Sequence, residues 1–346
     1  MSSLARHSAL NGLRNLKGLQ KASAYFPGIL FSITIGMAAT FVSGAYGGPT
    51  VLFALLLGMA FNFISTESRL APGVAFSSRS ILRIGVAALG ARITAEQVLG
   101  LGWSTLVGVA AAVALTIGFG MVAARLLGLK TQFGVLTAGA VAICGASAAA
   151  AIAAVLPRHE MHERDTVFTI IAVTTLSTIA MVLYPVVSRM FHFSHADAGV
   201  FLGGTIHDVA QVVGAGYSVS PETGDVATII KLLRVALLVP AVLSISVLAR
   251  QVEPEAGPAG KPPALVPGFL LAFIGIVLLN SFHLIPPAVQ SALSDLSRWC
   301  IVIAIAALGA KTSLAALAKV GHRAMALMVA ETVFIALFVL VLVHVG

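Results

Sequence analysis

Apolar runs about as long as a bilayer's hydrocarbon core is thick recur along the whole chain, separated by short polar or Gly/Pro-marked junctions. The pattern predicts about eleven membrane segments, at 27–43, 50–64, 80–98, 103–124, 133–156, 167–188, 198–217, 228–249, 267–283, 299–318 and 324–344. A spanning helix needs roughly 20 apolar residues, so 50–64 and 267–283 are short for a full crossing. Gly47, Gly48 and Pro49, then Ala71, Pro72 and Gly73, then Pro262 and Pro263 mark junctions, and 251–265 is the longest polar linker. The expected fold class is therefore an all-α polytopic membrane protein. Residues 1–25 form an N-terminal segment and 26–346 a single membrane domain. The run at 27–43 reads as a retained span, because Phe41 and Tyr46 stand where a signal-peptide cleavage site wants small residues.

Lys and Arg set the orientation. With the N-terminus inside, the cytoplasmic side receives Arg6, Arg14, Lys17, Lys21, Arg69, Arg79, Arg125, Lys130, Arg189, Arg250, Lys261, Lys319 and Arg323. The outer side receives Arg158, Arg164 and Arg298, diluted by Glu160, Glu163, Asp165, Glu222 and Asp225. That asymmetry predicts a cytoplasmic N-terminus, an external C-terminus and an odd number of spans.

Two short echoes lie five spans apart. Leu82-Arg83-Ile84 resembles Leu233-Arg234-Val235, and Cys144-Gly145-Ala146-Ser147 resembles Leu308-Gly309-Ala310-Lys311. Members of each pair run in opposite directions across the membrane. Inverted five-helix repeats, about 50–190 and 197–345, with one extra N-terminal helix would give this spacing. A longer match, Ala87–Arg92 against Ala306–Lys311, skips seven spans and competes with it.

Composition narrows the function classes. Hydrophobic residues make up 58% of the chain and charged residues 10%, against about 25% charged in soluble chains. The formal charge of +8 is scattered between apolar segments, which argues for loop anchors rather than nucleic-acid binding. Cys144 and Cys300 both lie in apolar stretches, which disfavours a disulfide or a metal site. The chain has no G-x-x-x-x-G-K-[ST] loop, so ATP is not expected to drive it, and no cofactor is implied.

The informative residues are the charges inside apolar segments, which are costly unless they face water, a partner or a solute. Arg83, Arg92, Lys231, Arg234 and Lys311 outnumber Asp208 and Glu331, with Glu96 near a boundary. A cavity lined this way attracts oxyanions. Arg83 and Lys231 also admit a snorkelling reading, whereas Lys311 falls near the middle of 299–318. Around Gly145, Ala146 and Ser147, and around Gly309 and Lys311, small residues permit either a closely packed unbroken helix or a break. A break would offer free N–H groups and a positive dipole end to an anion. In 198–217, His207 and Gln211 are four apart and Asp208 and Gln211 three apart, so a single helix would group them. They suit proton coupling or a structural hydrogen-bond cluster.

The motifs Ala142–Ala148, His207–Val212, Lys231–Val235 and Ala307–Lys311, in this order and at these separations, resemble a family of bacterial inner-membrane proteins labelled sulfate exporters. The resemblance covers the chain from about residue 27 onward. It implies a distant relationship to bile-acid symporters and cation/proton antiporters, with inverted repeats and two discontinuous crossing helices. Asp208 departs from the Glu often found there. The resulting expectation is no enzyme but a secondary transporter, an exporter of a small oxyanion such as sulfate, sulfite or a sulfonate, coupled to H+ or Na+. Gly145, Ala146, Ser147, Gly309, Lys311, Lys231 and Arg234 would bind the anion, with His207, Asp208 and Gln211 coupling, and a homodimer is compatible with this. The rival readings are a cation/proton antiporter using Asp208, and a membrane enzyme using His207 and Asp208 as acid and base.

Overall fold

In lipid every backbone N–H and C=O must be paired within the protein, which leaves helices as the economical solution for these apolar runs. The computed structural model describes residues 3–46, 50–63, 69–157, 161–252, 267–311 and 322–345. The polar linker at 251–265 falls almost wholly outside the described residues, as do Arg158, Glu160 and Lys319.

Helices α1 (Ser3–Tyr46) and α2 (Thr50–Ala60) are followed by α3 (Ala71–Phe76), a π-turn at Ser77–Ile81, and α4 (Leu82–Leu89). A 3-10 turn at Gly90–Arg92 leads to α5 (Ala95–Gly100), α6 (Gly102–Leu126), α7 (Thr131–Ala142), α8 (Ala146–Val155) and α9 (His162–Met190). Then come α10 (His195–Thr205), α11 (Val209–Val219), α12 (Pro221–Ala236), α13 (Leu238–Val252), α14 (Gly268–Ser281), α15 (Pro287–Lys311) and α16 (His322–Val345). Among the described residues seven helical stretches are long and apolar enough to cross a bilayer, and five shorter apolar helices accompany them. The chain is an all-α polytopic membrane protein.

Several expected segments are divided or shifted. The segment 133–156 is two helices, α7 and α8, and 198–217 is also two, α10 and α11. At 1.5 Å per residue none of the four reaches the roughly 30 Å of a bilayer core alone. Ala71, Pro72 and Gly73 start a helix instead of forming a junction, since Pro is tolerated in a first turn where its missing N–H is not needed. Arg298, expected in an outer loop, lies within α15, which begins twelve residues before the expected 299. That helix runs unbroken through Gly309 to Lys311, so no break occurs at Gly309; residues 312–321 lie outside the described residues.

The chain forms two compact units. One comprises the chain up to Gly85 with the second half of α15 from Arg298, and the other holds Val86–Ser297 and α16. In the first, glycine makes the crossings possible. A Cβ on Gly309 would fall on the carbonyl oxygen of Leu55, and one on Gly58 on that of Ala306. Val74, Ala307 and Ala310 form the buried centre there, with Phe31 and Leu70 against it, and Asn62 Nδ2 donates to Ala310 O at 2.9 Å. Small residues that let backbones touch are how membrane helices gain packing without a hydrophobic driving force.

Gly309→Val should therefore separate α2 from α15 and lower the thermal stability of the detergent-solubilised protein, by about 1–3 kcal/mol for overpacking. Ala at exposed Gly44, where a Cβ meets nothing within 4 Å, should leave the melting temperature alone.

Candidate functional site

The second unit contains both helix breaks. The first is set by Gly145, whose φ of 65° and ψ of −127° place it in a region that L side chains rarely adopt. Here α7 stops at Ala142 and α8 restarts at Ala146 with no side-chain cap. The second break needs no glycine. Ile206 and Asp208 are extended, and Ser177 Oγ of α9 accepts the N–H groups of both His207 (3.1 Å) and Asp208 (3.0 Å). Asp208 is the N-cap of α11, its Oδ1 accepting from Ala210 N at 2.8 Å. The breaks adjoin: a Cβ on Gly145 would lie 3.9 Å from His207.

Each break leaves carbonyls at the end of the preceding helix without intrahelical donors, in a place water does not reach. Two cations one turn apart on α12 supply the donors. Lys231 Nζ donates to Ile143 O (2.6 Å) and Ile206 O (3.0 Å). Arg234 donates from Nε to Ala142 O (2.7 Å), from Nη2 to Val141 O (2.8 Å), and from Nη1 to Gly203 O and Ile206 O (both 3.0 Å). Both side chains have 0% exposure. Five carbonyls, from the C-terminal ends of α7 and α10, thus converge on two positive groups, and those ends carry the negative pole of each helix dipole. Lys231 therefore does not snorkel. Among the described residues neither cation forms an ion pair; both are engaged by backbone carbonyls.

The remaining residues singled out in the sequence divide between the two units. Gly145, Ala146 and Ser147 sit at the start of α8, Ala146 half-buried and Ser147 exposed. Gly309 and Lys311 belong to the other unit, where Gly309 packs on α2 and exposed Lys311 donates from Nζ to Ser78 Oγ at 3.4 Å. Lys311 is the last described residue of its helix, and the remainder of the expected 299–318 segment lies outside the described residues.

His207, Asp208 and Gln211 do not share one helix face, because His207 precedes the N-cap that starts α11. They still converge on α9 and α16. Gln211 Nε2 donates to Thr178 Oγ1 at 2.8 Å, and His207 Nε2 lies 3.1 Å from Thr332 Oγ1. The single hydroxyl hydrogen of Thr332 goes to Met328 O at 2.8 Å, so its oxygen accepts and His207 Nε2 donates. His207 Nδ1 and Gln211 Oε1 are buried without a hydrogen-bond partner among the described residues.

Ser177, Thr178 and Thr332 escape sequence reasoning. Hydroxyls abound in these helices and most bond the carbonyl one turn back, as Thr116, Thr175 and Thr228 do, so nothing marks the few that reach across.

The model of the family described as Conserved hypothetical protein 698 matches residues 27–328. The chain belongs to that family. It is 54% identical to the UPF0324 membrane protein TauZ of Paracoccus denitrificans over 332 residues, covering 95% of this chain and 97% of that one. It is also 54% identical over 317 residues to a UPF0324 membrane protein of Chlorobaculum tepidum, covering 91% and 88%. A UPF0324 membrane protein of Rhizobium meliloti is 51% identical over 318 residues, covering 92% of each. No solved structure matches the chain.

Arg234→Met would orphan Val141 O, Ala142 O and Gly203 O together, at about 1–3 kcal/mol for each unsatisfied buried group. A large loss of thermal stability in detergent is expected. Arg234→Lys should recover only part of it, because an ammonium cannot reproduce the guanidinium fork. Equal melting temperatures for wild type and Arg234→Met would remove the capping role.

Proposed function

We propose that this protein is a secondary transporter of a small oxyanion, such as sulfate, sulfite or a sulfonate, working as an exporter by alternating access in the bacterial inner membrane. In this reading the N-terminus is cytoplasmic and the C-terminus periplasmic, as the Lys/Arg asymmetry indicates.

The observation that carries the reading is a difference between the two restarting helices. Each presents a positive dipole end with free N–H groups. At α11 that end is occupied by the chain's own Asp208 carboxylate. At α8 the N-cap is Gly145, which has no side chain to place over the turn, and Ser147 is accessible. An anion is what an open helix N-terminus selects, and it would sit here in the field of Lys231 and Arg234. The two cations act through that field and by holding the breaks, their hydrogen bonds being spent on carbonyls. Lys311 is a separate candidate anion contact within the first unit, and H+ or Na+ supplies the energy through the His207, Asp208 and Gln211 cluster. The five-plus-five inverted repeat belongs to this reading as its architectural basis.

The rival readings have less support. A cation antiporter wants grouped carboxylates, and no group of three His, Cys, Asp or Glu side chains suited to a metal ion occurs among the described residues. In an enzyme built on His207 and Asp208 the hydroxyl beside them would be that of Ser177, whose oxygen is already taken up by two backbone N–H groups, and we read the protein as performing no catalysis.

Purified protein in liposomes should take up radiolabelled sulfate, sulfite or a sulfonate under a proton or sodium gradient. Ser147→Ala should raise the half-saturating concentration about 2–10-fold, the worth of one hydrogen bond. Gly145→Ala, strained by about 1–3 kcal/mol at its positive φ, should abolish uptake. No oxyanion flux under either gradient would refute the proposal.

A further inference from the structure

The second unit holds one more intramembrane acid, away from the two breaks. Glu331 lies mid-way along α16 with 0% exposure. Its Oε1 is 2.8 Å from Thr137 Oγ1 of α7, and its Oε2 is buried with no hydrogen-bond partner. The space it occupies exists because α6 and α7 cross at glycines. A Cβ on Gly120 would stand 2.7 Å from Glu331 Oε1, and one on Gly134 would collide with the carbonyl oxygen of Gly120.

Hydrogen counting assigns the chemistry. Thr137 Oγ1 has one hydrogen and three oxygens around it: Phe133 O at 3.1 Å, Gly134 O at 3.3 Å, and Glu331 Oε1. The shortest of these contacts is the one in which Thr137 donates to Glu331 Oε1, so the carboxyl has a single donor and its Oε2 has none. A neutral acid carrying its proton on Oε2 leaves only that O–H unpaired. An ionised carboxylate would leave a charge buried with a single donor, the costlier arrangement.

Among the described residues no charged neighbour relieves that cost. The helices packed most extensively on α16 are α6, α7, α9 and α10, and α12, whose Lys231 and Arg234 are bound to carbonyls at the breaks, shares an apolar cluster with its C-terminal end. Of these, α7 contains no charged residue. On α6 only Arg125 is charged, in the last turn, with its Nε donating to Thr131 Oγ1. On α9, His162, Glu163, Arg164 and Asp165 lie in the first turn and Arg189 in the last. On α10, His195 and Asp197 lie in the first turn. The titratable group that the hydrogen bonds bring toward Glu331 is His207, through the adjoining Thr332.

We propose that Glu331 is a proton-carrying site: it takes a proton from water on one side of the membrane, closes around it as seen here, and releases it when the pocket opens to the other. One O–H bond forms and one breaks in each cycle, and one positive charge crosses. The position suits coupling. Glu331 touches α7, which ends at the first break, and Thr332 touches His207 in the second, so one turn of α16 contacts both broken helices. The assignment extends the transport reading and rests on it for its physiological meaning, although protonation itself is measured independently.

The test is infrared difference spectroscopy of the purified protein through a pH titration, on wild type, Glu331→Gln and Glu331→Asp. The expected result is a carboxylic-acid C=O band that disappears in wild type as pH rises, is missing in Glu331→Gln, and has a displaced midpoint in Glu331→Asp. A wild-type band that persists throughout the titration, or a titrating band retained in Glu331→Gln, would overturn the proposal. In liposomes, an outward proton gradient (acid inside), the direction proton-driven export requires, should stimulate radiolabelled sulfate uptake several-fold in wild type and not in Glu331→Gln; equal stimulation would also overturn it. If wild type moves no sulfate, sulfite or sulfonate, the oxyanion reading fails, while the infrared result still decides the role of Glu331.

Discussion

A helix interrupted inside lipid must find donors for the carbonyls at its severed end, and here two interruptions share the same two donors. Lys231 and Arg234 bind five carbonyls from two different helices, and Ile206 O is held by both. With each helix terminus worth about half a charge, the two C-terminal ends offset about one of the two positive charges. Asp208 offsets the other, and the two N-terminal ends add back about one. A surplus of about one positive charge is thus built into the crossing, by the groups that make it possible to break the helices at all. The stability of the crossing and its positive field have one origin in this arrangement.

The fold class was legible because hydrophobicity dominates it. Run length pointed to about eleven apolar segments, and seven long and five shorter apolar helices occur among the described residues; the intramembrane charges stood out because lipid makes them costly. The break at Gly145 was open to expectation because glycine is the residue that permits it. The break at Ile206–Asp208 was not, because it depends on Ser177 arriving from α9 to take two N–H groups. Sequence periodicity therefore carried one helix straight through it and grouped His207 with Gln211 on a face that does not exist. The same limitation hid the duty of Lys231 and Arg234. Their charge was visible, but the carbonyls they bind lie about 25 to 93 positions away along the chain.

Small residues connect these features. Gly203 brings α10 against the backbone of α12, where a Cβ would press on Ala227 O, and so places the carbonyl end of α10 within reach of Arg234. Gly120 and Gly134 do the same for α6 and α7, and the volume they vacate holds the Glu331 carboxyl. In both places the missing Cβ makes room for a polar group that lipid would otherwise exclude, so glycine content in this fold reflects polar burial as well as close packing.

The strengths of the contacts also indicate which parts of the second unit are free to shift. Helices α7, α10 and α12 are tied together by six short, charge-assisted hydrogen bonds, and no one of them can move without stranding carbonyls of another. Helix α16 meets the same broken helices through two single side-chain hydrogen bonds, Glu331 to Thr137 and His207 to Thr332. Each ends on a group whose protonation changes what it can donate or accept. Losing either bond costs about one ordinary hydrogen bond, whereas uncoupling the cations costs several. A proton arriving or leaving at α16 therefore acts on the weakest polar link to the most rigid part of the unit, where a small change in free energy has the greatest leverage on conformation.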